Sequence, residues 1–591
     1  MAKTYTQKRW SLEDLFPGHE SPEFKKALES LEKAVSKFED QRSKLADDID
    51  ESTFQNILKE LEEIASQTYR LSSYAGLWFT EDTMNQDAIA LQAKIEQDLV
   101  NLQNRIIFFN LWWKNLDKKE ADRLMANAGD LSYWLEEIRH FTPHTLTEPE
   151  EKILNIKNVT GASAMVTLYS SLTNRYTFKV DVDGEEKDLT RGELMVYARH
   201  HDPDLRAAAY QELYKVYGDD GPILGQIYQT IVHDWHNENI DLRSYKNPIA
   251  VRNLRNDVPD KAVGALLEIC EKNAPVFQRF FDLKARWLKT DQLRRYDVYA
   301  PVAKSDKNYS YQESVEMVLD AFRDFDPRIA DLAQKILDDD HVDSEIRKGK
   351  RGGAFCASVT PDLSPWVQLN YQGNAEAVAT MAHELGHGIH TLLASDHSVF
   401  TFHSSLPLAE NASTFGEMLL IDKLLSKEDD PGVRRDILFK QVDDAYATIM
   451  RQSFFALFER DAHKMIQEGA IIDDLSEMYL NNLKNQFGIA VSISDEFRWE
   501  WVSIPHFYHT PFYVYAYAFG QLLVLSLYQR FKKEGESFKP GYIKILEAGG
   551  SQAPVKILSE AGIDISSKKF WQGGFDVIEG MVKELEDLPI E

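Results

Sequence analysis

Apolar residues recur at helical spacing along most of the chain. Leu28, Leu31, Val35 and Phe38 form one stripe, and Phe54, Ile57, Leu58 and Leu61 form another. Intervals of three and four residues put side chains on one face of a helix. The periodicity runs from Pro22 to about Lys157 and predicts long packed helices. Between Tyr176 and Leu189 it gives way to alternation with Asp183-Gly184 at the turn, which predicts a β-hairpin. Helical spacing resumes at Arg191. Further on, Asn374 to Ala382 is rich in helix formers with apolar residues three and four apart, and Leu408 to Leu420 reads as a helix opening after Pro407. Ser364 to Gly373 reads as a strand, with Val367, Leu369 and Tyr371 on one side and Gln368 and Asn370 on the other. The fold class predicted is mostly α. There is no low-complexity linker and no internal repeat, so the hairpin supplies the division: residues 1–190 as an N-terminal helical lobe and residues 191–591 as the remainder.

The second part carries the pentad His383-Glu384-Leu385-Gly386-His387 on a predicted helix. Residues four apart lie one above the other, so both imidazoles can converge on one ion, and Glu384 flanks that ion as a candidate general base. Two imidazoles on the apolar side of a helix would be costly to bury without partners, and a metal supplies one partner to both. This is the arrangement of a zinc hydrolase. A catalytic zinc site commonly has three protein ligands and one open position. Glu410, 27 residues after His383, is the candidate third ligand, and Glu417 lies two turns further along the same stripe, placed to orient an imidazole.

The run His383-Glu384-Leu385-Gly386-His387-Gly388-Ile389-His390, followed by Ala409-Glu410-Asn411-Ala412-Ser413 and Glu417, resembles the thimet oligopeptidase and oligoendopeptidase F group of zinc peptidases. Arg9 to Pro17, Asp297 to Pro301 and Gly349 to Phe355 are similar to the oligoendopeptidase F branch, and the similarity spans nearly the whole chain. The resemblance implies a two-lobed, multi-helix zincin-type metallopeptidase with a deep enclosed cleft and a small β-sheet beside the metal helix. Residues 191–591 would be its catalytic domain. It implies one Zn2+ per chain on His383, His387 and Glu410, with Glu384 as the catalytic carboxylate. It also implies cleavage of internal bonds in short unstructured peptides. Where thimet oligopeptidase has Pro, this chain has Ala412. His390 falls outside the ligand set, three residues and about 60° round the helix from His387.

The segment Ile504 to Tyr517 concentrates His and Tyr. A phenol or imidazole aimed at a carbonyl oxygen stabilises the oxyanion formed when water attacks an amide. The resemblance assigns such a role best to His506, Tyr513 and Tyr517, with His509 a rival for the imidazole. Tyr508 and Tyr515 read as core. Tyr513 and Tyr517 share a face if a helix runs from Phe512 to Tyr528. The strand before the pentad helix, taken as an edge strand, could hold an extended peptide, and Gly352-Gly353 would permit close backbone approach or a moving loop.

Composition narrows the remaining classes. With 95 acidic and 67 basic residues the formal net charge is −28, which disfavours nucleic acid and anionic membranes as partners. Only Cys270 and Cys356 are present, which fits a reducing compartment. The amino terminus has no apolar core of a signal peptide, and Ile106 to Trp113 and Leu522 to Leu527 fall short of the roughly 20 residues that span a bilayer. A cytoplasmic location is expected. Three other readings stay open at this point: a metallocarboxypeptidase, a peptide-binding protein with a structural metal, and a helical interaction protein in which the pentad is accidental.

Overall fold

The computed structural model describes residues 3–302 and 307–590. Helix makes up 69 % and strand 4 % of the chain, so the mostly α class expected from the pattern is the observed one. The chain divides into two compact units, each assembled from three separate stretches. One comprises Met1–Thr142, Asp306–Lys427 and Arg530–Ile563, the other Pro143–Ser305, Glu428–Gln529 and Asp564–Glu591. The expected division at residue 190 does not coincide with these units. Residues 143–190 belong with the second unit, where the helix Ala162–Thr173 lies against the helix Gly221–His236.

In the first unit, Ser21 caps the helix Pro22–Glu39 by accepting a hydrogen bond from the Phe24 N–H, with proline at the first helical position. Asp50 caps the long helix Glu51–Glu81 in the same way through Thr53. The stripes read from the sequence turn inward: Leu31, Val35, Phe38, Phe54, Ile57, Leu58 and Leu61 are buried in one core with Trp10, Phe24 and Trp113. Full burial of such side chains is worth about 1.5–3 kcal/mol each. The stripe is therefore what holds the N-terminal helices together.

A three-stranded sheet completes this unit. Trp366–Gln368 pairs in parallel with Val342–Asp343 and antiparallel with Phe355–Ala357. The strand expected at the edge is thus central. Its polar residue is buried too, because Gln368 donates through Nε2 to the Arg351 carbonyl at 3.0 Å. The loop between the outer strands is anchored by Lys350, whose buried ammonium reaches Asp343 Oδ1 at 2.7 Å and the Leu369 carbonyl at 2.6 Å. Close backbone approach occurs at Gly349 (φ 88°), where a Cβ would lie 2.2 Å from Asp82 Oδ1, and not at Gly352 or Gly353.

In the second unit, the hairpin forms as expected from Phe178–Val182 and Glu185–Leu189, antiparallel, with Asp183 and Gly184 both at positive φ. Phe178, Val180 and Val182 face inward and alternate with exposed residues. Two buried ion pairs, Arg206 with Asp297 at 2.8 Å and Arg295 with Glu500 at 2.7 Å, tie its segments together. Removing one partner of such a pair typically costs about 3–5 kcal/mol.

Candidate active site

The pentad lies in the helix Ala375–Leu393, capped by Asn374, whose Oδ1 accepts from the Ala377 N–H at 2.8 Å. Val378, Met381, Ala382, Leu385 and Ile389 bury one face of this helix. That leaves His383 and His387 on its flank, partly exposed, their ring centroids 5.0 Å apart and nearly perpendicular. Glu410 immediately precedes the helix Asn411–Lys427 instead of lying within it. It occupies the cap position: its carbonyl accepts from the Thr414 N–H at 3.1 Å, and its Oε2 accepts from Ser413 Oγ at 2.8 Å. The same Oε2 stands 3.3 Å from His383 Nε2 and 3.4 Å from His387 Nε2. All three donor atoms lie within 4.8 Å of one another.

Gly386 makes this convergence possible. A Cβ there would lie 2.6 Å from both the Ala412 carbonyl oxygen and Ser413 Cα. The pentad helix therefore touches the glutamate segment backbone to backbone, and only glycine permits it.

His383 is also approached from its other side, where its Nδ1 is 3.6 Å from Glu417 Oε2. Burial disfavours the charged form of His383, but Glu410 and Glu417 outweigh it and raise its pKa to about 10. Glu410 is disfavoured as an anion by burial, yet His383, His387 and Ser413 bring it down to about 2. The carboxylates thus favour positive charge where the three donor atoms converge. Glu384, only 7 % exposed, is pushed up to about 7 by burial, against the opposing pull of His383. It faces a cavity of about 600 Å³ whose wall includes the strand Phe355–Ala357, the outer strand of the small sheet. His390 lines the same cavity but is buried, stays outside the donor group, and is depressed to about 4 by burial.

The His and Tyr segment belongs to the second unit and forms its own cluster. His506 sits on the short helix Pro505–His509. Its Nε2 is 3.4 Å from the Tyr517 hydroxyl, and the Tyr513 and Tyr517 rings meet edge to face at 5.3 Å. The helix begins at Tyr515 and not at Phe512, because Phe512 adopts φ 58°. Tyr513 nevertheless stands beside Tyr517. His509 turns away to Ser170 Oγ at 3.2 Å, and Tyr508 and Tyr515 are buried. The Ser413 hydrogen bond to Glu410 and the placement of the strand Phe355–Ala357 beside the site escaped the reading of the sequence. Their contributions depend on backbone placement, and only Gly386 gave a visible signal of it.

A helical frame that brings a distant carboxylate to a His-Glu-x-x-His helix is that of a peptidase. The family model of Peptidase family M3 matches residues 196–577, and that of Oligopeptidase F matches residues 112–178. The chain belongs to peptidase family M3, in its oligopeptidase F branch. It is similar to oligopeptidase PepF of Bacillus subtilis (strain 168), 28 % identical over 591 residues, covering 98 % of this chain and 87 % of that protein. It is equally similar to an oligoendopeptidase F homolog of Borreliella burgdorferi, 28 % identical over 592 residues and covering 98 % of each. Among solved structures, a provisionally assigned peptidase from Chlamydophila abortus superposes with TM-score 0.89 at 25 % identity, covering 98 % of both chains. Oligoendopeptidase-F from Enterococcus faecium shares the fold with TM-score 0.69 at 24 % identity, covering 96 % of this chain and 98 % of that one.

Proposed function

We propose that this peptidase is a zinc-dependent endopeptidase that hydrolyses internal bonds of short unstructured peptides in the cytoplasm, with one zinc per chain. The observation that carries the proposal is the convergence of His383, His387 and Glu410 within 4.8 Å beside the buried Glu384. Two neutral-capable imidazoles and one carboxylate match the donor chemistry of a catalytic zinc site. Zinc held there supplies Lewis acidity, which polarises a carbonyl and acidifies water.

The protein's own groups do the rest. Glu384 accepts the proton of the attacking water, and because burial favours its protonated form it can return that proton to the leaving nitrogen. Glu417 keeps His383 turned toward Glu410. His506, Tyr513 and Tyr517 are the proposed donors to the oxyanion, each offering an N–H or O–H that bonds more strongly as the oxygen gains charge. The relatives named oligopeptidase and oligoendopeptidase support peptides of limited length as substrates. No helix among the described residues is long and apolar enough to cross a membrane.

The test is mass spectrometry of products from internally quenched peptides capped at both ends, with and without a chelator. Internal cleavage that stops on chelation and returns with zinc is expected. Failure to cut capped peptides while free C-termini are trimmed would replace the proposal with a carboxypeptidase. Stoichiometric zinc without any turnover would leave a binding protein.

A further inference from the structure

Glu459 is the one acid in the apolar run Phe454-Phe455-Ala456-Leu457-Phe458-Glu459 of the helix Arg451–Gln467, and it is fully buried. Its Oε1 accepts the Phe512 N–H at 2.9 Å. The carbonyl of the same peptide unit, Pro511 O, accepts from Arg252 Nε at 3.3 Å. Arg252 is itself 9 % exposed and comes from the helix Pro248–Arg255. A single peptide bond is thus gripped at both ends by buried ionisable side chains from two different helices. Beyond it, Phe512 holds φ 58°, a left-handed conformation that costs a bulky aromatic residue about 1–3 kcal/mol. Its ring is braced by His463, one turn along from Glu459, at a centroid distance of 4.7 Å. Asn256, just past the end of the Arg252 helix, donates to the Tyr515 hydroxyl at 3.0 Å.

Stability alone does not account for this arrangement. Burying a carboxyl is expensive, and Glu459 gains one backbone hydrogen bond while its Oε2 has no partner among the described residues. The left-handed residue adds to the cost. What the two costs achieve is a sharp turn directly before Tyr513, which leaves Tyr513 and Tyr517 outside the core while Phe512, Val514 and Tyr515 are buried.

We propose that Glu459 and Arg252 are positioning residues that clamp the Pro511–Phe512 peptide and thereby set the direction of the Tyr513 and Tyr517 hydroxyls. The inference rests on the reading of those tyrosines as oxyanion donors. Burial pushes the Glu459 carboxyl up to about 8, so its neutral form is closely matched by glutamine, which keeps the acceptor for Phe512.

The experiment uses the zinc-loaded full chain and reads two quantities. Amide hydrogen exchange by mass spectrometry follows residues 507–517, and kcat and KM are measured on a capped quenched peptide. Glu459→Leu should speed exchange in that segment by about tenfold or more and lower kcat by about 10- to 100-fold, with KM within about threefold and zinc content unchanged. Glu459→Gln should restore both quantities to within about threefold of wild type. In a Tyr513→Phe/Tyr517→Phe background, Glu459→Leu should cost no more than about a further twofold, because residues acting through one group are not additive.

Wild-type exchange in Glu459→Leu would overturn the clamp. An equally large kcat loss in the double-Phe background would show that the clamp does not act through the tyrosines, and would overturn the positioning role. If the double-Phe protein itself turns over like wild type, the donor reading fails and the positioning role fails with it, while the exchange data still decide whether Glu459 holds the turn. Should Glu459→Leu not fold, Arg252→Met tests the carbonyl end by the same two measurements, and wild-type behaviour there would overturn the clamp.

Discussion

Replacing Gly386 with alanine probes how the donor set is assembled without touching a ligand. The added Cβ would lie 2.6 Å from the Ala412 carbonyl oxygen and from Ser413 Cα, about 0.8 Å inside the 3.4 Å at which ordinary contact begins. Both neighbours are backbone atoms, so no side chain can rotate aside. The two helices must move apart, and Glu410 sits only two residues before Ala412. Ligand distances in a metal site tolerate about 0.2 Å, several times less than the movement required. Overpacking of this kind costs about 1–3 kcal/mol. If most of that falls on the convergence of Glu410 with His383 and His387, zinc affinity drops by about 10- to 100-fold. The assay is zinc retained against a graded series of chelator buffers, with the circular dichroism spectrum as a check on folding. Gly352→Ala is the control, since nothing lies within 4 Å of a Cβ at that position. A Gly386→Ala protein that binds zinc as tightly as wild type would refute the claim that backbone contact sets the ligand geometry.

Other outcomes follow from the same geometry. Glu410→Ala removes a ligand, so zinc stoichiometry after dialysis should fall well below one per chain; full retention would exclude Glu410 from the donor set. Ser413→Ala removes the 2.8 Å hydrogen bond to Glu410 Oε2 and should weaken zinc binding by about tenfold in a competition titration. His463, fully buried, is held down to about 3 by desolvation. Its folded pKa lies below the unfolded value, so the contribution is present above about pH 6.5 and is lost as pH falls toward 3. The slope is about 1.4 kcal/mol per pH unit. Urea midpoints measured from pH 7 to pH 4 should fall less steeply for His463→Leu than for wild type; parallel slopes would contradict this.

The helical frame was legible in the sequence wherever one face of an element meets one core, as with Leu31, Val35 and Phe38 or Phe54, Ile57 and Leu58. The hairpin was legible because Asp183-Gly184 can adopt positive φ at both turn positions. The pentad was legible because its geometry is local to one helix. Glu410 was reached through its motif, and its place at the cap of the helix, hydrogen-bonded by Ser413, was not visible. Sheet order was misread because a strand is central or edge according to distant partners, here Val342 and Phe355, which periodicity does not reveal. The compact units were not legible for the same reason: each draws on three stretches of chain, and local composition marks no boundary at residues 142 or 305. Glu459 did leave a trace, an acid within an apolar run, but its partner is a backbone N–H 53 residues away.

The central claim is that Glu384 moves the proton while His383, His387 and Glu410 hold zinc. Turnover of a capped quenched peptide by Glu384→Gln, compared with wild type at equal measured zinc content, tests it most directly. The account predicts one zinc per chain in both proteins and a loss of kcat of at least about 10²-fold in the variant. Cleavage by zinc-loaded Glu384→Gln at a rate near wild type would contradict it.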